Sequence, residues 1–297
     1  MKLLFTGASG FLGQNVKPIL EKQYEVKTLG LAGDDIVSNI AHDIPEISET
    51  FDVVFHAAGK AHIVPKTPEE KQAFFDVNYQ GTVNLCKALE KSSLPKAFIF
   101  VSTVAVYGVE FGANISEEHP LKGETPYALS KIQAEQYLTE WCAKNNVKLG
   151  IIRPSLIAGP NAPGNLGAMV NGIKTGKYLS IGSGTARKSV LMVQDIANLI
   201  PKLVEKGGVY NVCDDVQPSF RELEIIISKQ LNKKQPKAIP FFVAKAMALV
   251  GDLLGSKAPI NSLKLKKITE SLTFSNEKAK KELGWQPINV LDNYKIK

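Results

Sequence analysis

Thr6-Gly7-Ala8-Ser9-Gly10-Phe11-Leu12-Gly13 decides how the rest of the chain is read. The apolar run Lys2-Leu3-Leu4-Phe5 precedes it and reads as a short buried strand. After it, Phe11, Leu12, Val16, Ile19 and Leu20 recur at helical spacing, which predicts a helix over 11–22. Strand, glycine-rich turn and helix N-terminus in that order can hold a pyrophosphate. The first glycine allows the tight turn, the second lets the backbone come close to phosphate, and the third lets helix and strand pack closely. The unpaired N–H groups and the positive dipole end of the helix then face the anion.

Working outward, short apolar runs at 24–29, 52–55, 97–101 and 149–152 alternate with helical patterns at 69–91 and 127–145. That alternation predicts an α/β fold, a Rossmann-type doubly wound parallel sheet with a smaller C-terminal α/β substrate-binding region. Loops grow richer in Gly, Asn and Pro after Arg153-Pro154. Residues 1–155 therefore read as the cofactor-binding part and 156–297 as mainly substrate-binding. The boundary is soft, because 190–193 and 209–212 are candidates to cross back into the sheet.

Composition narrows the function classes. In 297 residues, 44% hydrophobic and 22% charged content is that of an ordinary globular protein. Cys86, Cys142 and Cys213 are scattered and lack CxxC spacing. They argue for a reducing, cytoplasmic setting and against a disulfide framework or a metal site. The N-terminal apolar stretch is too short for a signal peptide. Segment 239–255 is interrupted by Pro240, Lys245 and Asp252 and is too short to span a membrane. It reads as a packed helix, with a membrane-surface contact as the alternative. The net charge of +7 comes with modest lysine clusters at 264, 266, 267 and at 278, 280, 281. No nucleic-acid motif accompanies them, so they read as a solvated face that attracts anionic substrates.

Two stretches carry candidate chemistry. Tyr127-Ala128-Leu129-Ser130-Lys131 sets a phenol and an ammonium four residues apart, on one face of a helix. A neighbouring cation favours phenolate and lowers the tyrosine pKa, as an acid/base at an alcohol or carbonyl requires. Val101-Ser102-Thr103-Val104-Ala105-Val106-Tyr107-Gly108 follows a predicted buried strand, where ligands of open α/β sheets bind.

With those residues in view, the chain resembles the extended short-chain dehydrogenase/reductase family, in its nucleotide-sugar epimerase, dehydratase and reductase group. Thr6 to Gly13 matches the family's TGxxGxxG and Asp43-Ile44 its adenine-contacting acidic site. His56-Ala57-Ala58-Gly59 is similar to its H-x-A-[AG] segment, and Val77-Asn78-Tyr79-Gln80-Gly81-Thr82 to its N-V-x-G-T helix start. Arg153-Pro154, Gly159-Pro160, Gly182 to Asp195 and Leu283-Gly284-Trp285-Gln286-Pro287 resemble the later family motifs. The resemblance implies Thr103, Tyr127 and Lys131 as catalytic residues. It implies cofactor contacts at Gly7, Ser9, Gly10, Phe11, Leu12, Gly13, Asp43, Ile44, Ala57, Ala58, Gly59, Asn78, Tyr127, Lys131 and Pro154. Substrate contacts would come from Thr103, Asn165, Leu166 and Arg187, whose guanidinium fork suits a diphosphate. His62 is a further substrate candidate, weighed equally against a loop histidine capping backbone.

Departures from the family pattern limit the choices. Gly30 stands where members carry the Asp or Arg that reads the adenosine ribose; Asp34 or Asp35 is a candidate to substitute, and Lys27 a candidate to assist a 2′-phosphate. The cofactor is NAD or NADP, with NAD favoured. Val104 and Ala105 replace the Asp-Glu pair of the 4,6-dehydratases, which argues against dehydration. The expected activity is C4 epimerisation of a UDP-hexose through a 4-keto intermediate, or reduction of a 4-keto UDP-6-deoxy-N-acetylhexose. A non-catalytic NAD(P)-binding regulator and a steroid or lipid dehydrogenase are weaker readings. Relatives form homodimers through a helix bundle that here would use residues 127–145, with Gln133, Tyr137, Leu138 and Trp141 equally suited to core or interface.

Overall fold

The computed structural model describes residues 1–254 and 260–296. Its centre is a parallel sheet of seven strands, numbered here in chain order. They are β1 (Lys2–Thr6), β2 (Glu25–Gly30), β3 (Ile36–Val37), β4 (Val53–His56), β5 (Ala97–Val101), β6 (Lys148–Pro154) and β7 (Gly208–Val212). Their spatial order is β7-β6-β5-β4-β1-β2-β3, and Thr6 lies in register with His56. The chain leaves β1 toward β2 on one side and later returns as β4 on the other. The crevice beyond the carboxyl ends of β1 and β4 is therefore the switch point where such sheets bind ligands.

Side-chain alternation explains both faces of the sheet. Leu3, Phe5, Val53 and Phe55 point to one side and pack with α1 (Phe11–Leu20) and α6 (Val193–Lys206). Leu4, Val54, Phe98 and Phe100 point to the other, under α3 (Gly81–Lys91) and α4 (Pro126–Asn145). Strands buried on both faces read as continuous apolar runs, as these do. Leu138 and Trp141 belong to this core, Tyr137 is half-buried with its ring edge-on to Tyr79, and Gln133 is exposed.

Three details depart from the sequence pattern. The helix expected over 69–91 is divided into α2 (Pro68–Phe75), a π-turn at Asp76–Gln80 and α3. The wide turn buries Asn78 and lets it reach across to α4. The chain does return to the sheet as β7, but Val190–Met192 pairs with Leu156–Ala158 in a separate two-stranded sheet. Beyond these, α5 (Gly164–Lys174), α7 (Phe220–Gln230), α8 (Phe241–Leu254), α9 (Ser262–Thr269) and α10 (Glu277–Leu283) build the C-terminal part.

The third departure is α8. It buries only Ala244, Ala248 and Gly251, while its large apolar residues stand outward. A fully packed helix would bury the large residues instead; Gly255, the end of the expected segment, lies outside the described residues. Among the described residues, no helix is long and apolar enough to cross a membrane.

Buried Asp195, in the first turn of α6, ties down the C-terminal segment. The Trp285 side chain also bears on this carboxyl, whose Oδ2 accepts from the Ile288 N–H at 3.0 Å. Burial pushes its carboxyl up to about 7, against the pull of that N–H.

Candidate active site

The turn after β1 is shaped by close backbone approach. Gly7 has φ +83°, and a Cβ there would lie 2.6 Å from the Ala58 nitrogen and 2.7 Å from the Ala57 carbonyl carbon. At Gly13 a Cβ would lie 2.4 Å from the carbonyl oxygens of Gly7 and Ala8. Gly10 caps α1 with backbone alone, and no carboxylate occupies the first turn of that helix. Ser9 and Gly10 are exposed, and Phe11 reaches the loop at Gly159. The donors at this helix start are thus left for an external anion.

Beneath the turn, a buried hydrogen-bond chain locks β1, β4 and α3 together. The Ala58 N–H donates to Thr6 Oγ1, which lies 2.6 Å from His56 Nδ1; His56 Nε2 lies 2.9 Å from Thr82 Oγ1. Because Thr82 donates to the Asn78 carbonyl, its oxygen accepts from Nε2–H, which assigns the neutral Nε2–H tautomer. Burial, with Lys131 nearby, brings the His56 pKa down to about 3. Asn78 then fixes the following loop: its Oδ1 accepts from Lys60 N–H at 2.7 Å and its Nδ2 donates to Ser130 Oγ at 2.9 Å. A Cβ at Gly59 would come within 3.2 Å of both Asn78 Oδ1 and Lys131 Nζ, so these elements meet at one point.

Tyr127 and Lys131 project from the first turns of α4, whose start is set by Pro126 and by Thr125 accepting from Ala128 N–H. Lys131 is buried. Its Nζ donates to the Val101 carbonyl at 2.8 Å and sits 4.5 Å from the centre of the Phe100 ring. Burial lowers its pKa to about 8, with Glu135 opposing. Burial raises the Tyr127 pKa, and the Thr103 hydroxyl offsets part of that rise. The sequence expectation of a phenol acidified by Lys131 is therefore not met in this state, because desolvation dominates the phenol. Thr103 follows β5 and holds the next turn, accepting from Ala105 N–H at 3.1 Å. Phe74 packs edge-on to the Tyr127 ring.

At the far end of the crevice, a Cβ on Gly30 would lie 2.3 Å from Asp34 Oδ2. The Asp34 carboxylate therefore occupies the space that a side chain at the end of β2 would fill. Asp35 is exposed but bound back to β2: its Oδ2 accepts from the N–H and hydroxyl of Thr28, and Lys27 pairs with its other oxygen at 3.5 Å. Asp43 is exposed with its N–H held by the Asn39 carbonyl, and Ile44 borders a surface cleft with Ile47, Ala88 and Lys91.

The remaining sequence candidates fall into two groups. His62 has φ +60°, burial lowers its pKa, and a Cβ on Gly164 would lie 2.9 Å from its Nδ1. It thus adjoins the start of α5, where Asn165 is exposed and the Leu166 side chain is buried in the C-terminal core. Arg187 is held by a different stretch, donating to the Gln217 carbonyl at 2.6 Å and facing Glu222 at 3.5 Å. Pro154 ends β6 in register with Val212.

Sequence reasoning passed over two features at this edge. Ser102 and Ser155, just after β5 and β6, have buried hydroxyls without a partner. Arg153 is ion-paired with Glu135 through Nη2 at 2.5 Å and donates to Tyr107, which donates to Asn211 at 2.6 Å. The position of each serine after an apolar run was the available signal. The helix start capped by backbone alone, the tight glycine turn and the orphan hydroxyls together fit a dinucleotide along this edge.

The sheet order and the glycine turn define a Rossmann-type dinucleotide-binding class. The NAD dependent epimerase/dehydratase family matches residues 3–213, and the chain belongs to that family. It is 32% identical over 93% of its length to N-acetyl-alpha-D-glucosaminyl-diphospho-ditrans,octacis-undecaprenol 4-epimerase of Escherichia coli O157:H7, covering 88% of that protein. Identity to GDP-6-deoxy-D-mannose reductase of Pseudomonas aeruginosa is 28%, over 75% of this chain and 77% of that one. The fold matches UDP-glucose 4-epimerase of Thermotoga maritima with a TM-score of 0.76 at 21% identity, covering 100% of this chain and 97% of that one.

Proposed function

We propose that the protein is a 4-epimerase of a diphosphate-linked hexose, with a UDP-hexose, N-acetylated or not, as substrate. The observation that carries this reading is half-buried Tyr127 and buried Lys131 on one helix face, with the Thr103 hydroxyl acting on the phenol. In this reading Tyr127 removes the proton from the sugar O4 and returns it, and Thr103 hydrogen-bonds the same oxygen. Lys131 would hold the cofactor ribose, and its positive charge on the same helix face would favour the phenolate of Tyr127. A bound nicotinamide supplies hydride acceptance and return at C4. Asn165 and the backbone at Leu166, with Arg187, would hold the diphosphate, His62 would border the sugar, and homodimerisation would follow the relatives' pattern.

The glycine turn, Asn78 and the Ala57–Gly59 loop would hold the dinucleotide, with Asp43 and Ile44 at its adenine. Asp34 over Gly30 supports NAD over NADP, since a carboxylate accepts from a ribose 2′-hydroxyl and repels a 2′-phosphate. Lys27 is already paired with Asp35 and so is poorly placed to replace an arginine.

The 4-epimerase named among the relatives favours epimerisation; the reductase among them keeps single-hydride reduction as the second reading. The test is addition of UDP-N-acetylglucosamine or UDP-glucose to purified protein. Appearance of the 4-epimer without a consumed reductant supports the epimerase; untouched sugars together with stoichiometric NADPH use on a 4-keto substrate support the reductase.

A further inference from the structure

Helix α8 is built inside out. Its small residues Ala244 and Ala248 face the protein, packed with Ile181 and Leu265, and Gly251 is buried as well. Phe242, Leu249, Val250 and Leu253, at helical spacings of seven, eight and eleven, are 73%, 56%, 57% and 89% exposed. Such a run of outward aromatic and aliphatic residues on one face is the mark of a surface that meets another apolar phase. At 14 residues the helix cannot span a bilayer but can lie along one.

Charge identifies the phase. From Lys229 to Thr269 the sequence holds nine lysines and one carboxylate, a net of +8 where the whole chain carries +7. The rest of the protein is therefore close to neutral, at −1. Lys245 is exposed on α8, and Lys264, Lys266 and Lys267 are exposed on the adjoining α9. The one carboxylate, Asp252, is turned onto the start of α9, accepting from the N–H and hydroxyl of Ser262. The apolar face is thus accompanied by lysines and by no free carboxylate of its own segment, although Glu110, from outside it, pairs with Lys267 at 3.0 Å.

We infer that α8 lies in the headgroup region of an anionic phospholipid bilayer, with its apolar face inward and the lysines of α8 and α9 on lipid phosphates. A two-fold contact between copies would bring two such lysine-rich segments together, which disfavours self-association through this face. A neutral apolar partner would leave the lysine excess unused. The inference rests on this helix and its charge, and does not depend on the proposed reaction.

The test is sedimentation of the full chain with vesicles of phosphatidylcholine, with and without phosphatidylglycerol, in the absence of sugar and cofactor. The expected result is binding to the anionic vesicles alone, weakened by salt. Phe242→Asp with Leu253→Asp, both at exposed positions, should cut binding roughly tenfold or more. Circular dichroism and cofactor affinity of the double variant should be unchanged. No binding to anionic vesicles overturns the inference, as does binding that the double variant retains. A wild-type oligomer that the double variant dissociates overturns it too, in favour of an interface between copies.

Discussion

The Lys131 ammonium donates to the Val101 carbonyl at 2.8 Å, fastening the face of α4 that carries Tyr127 to the end of β5 that carries Thr103. Two residues 30 apart in sequence thus set the distance between the proposed acid/base and its partner hydroxyl. In the proposed reaction the charge of Lys131 would favour the phenolate of Tyr127.

Tyr127→Phe removes only the proton-transfer oxygen. We expect kcat to fall by roughly 10²–10⁴-fold while NAD affinity changes little. Steady-state rates and calorimetry check this, and a kcat within a fewfold of wild type would remove Tyr127 from the proposed role.

Asp34→Asn should weaken NAD and narrow the gap between NAD and NADP, because it removes the negative charge that sits over Gly30. Titration with each dinucleotide reads both affinities. Unchanged preference would mean that the ribose is read elsewhere.

Gly7→Ala combines a left-handed backbone with a collision against Ala57 and Ala58. The backbone alone costs about 1–2 kcal/mol, and the collision adds to it. Gly176→Ala, also at positive φ but with open space around its Cβ position, should pay only the backbone cost. We expect loss of NAD binding for Gly7→Ala and retention for Gly176→Ala, with a larger drop in Tm for the former.

Asp195 provides a pH signature. Its carboxyl moves from 3.8 unfolded to about 7 folded, so the folded state favours the protonated form and stability is lost as pH rises through that window. Asp195→Asn removes the ionisation and keeps an acceptor for Ile288. Its Tm relative to wild type should therefore be higher at about pH 8 than at about pH 5. An equal offset at both pH values would contradict the assignment.

The parallel sheet and its edge were legible because each strand is an apolar run and each turn has its own chemistry; residues 97–101 were read to the residue. The π-turn was not, since no local propensity marks it: Asn78 takes that geometry to reach Lys60 and Ser130, both distant in sequence. Tyr127 and Lys131 were found by spacing, but the sign of the Tyr127 shift depends on burial, which spacing does not carry. Arg187 was placed by motif, whereas Gln217 and Glu222, which hold it, come from an unrelated stretch. The exposed face of α8 was hidden because hydropathy reports apolar residues and not the direction they point.

The most direct test of the account is incubation of the protein with UDP-N-acetylglucosamine or UDP-glucose deuterated at C4, followed by mass and magnetic resonance analysis of the sugar. The account predicts a 4-epimer that keeps deuterium on C4, because the hydride is removed and returned within one site. Absence of epimer from both sugars, or an epimer whose C4 carries solvent hydrogen, would contradict it.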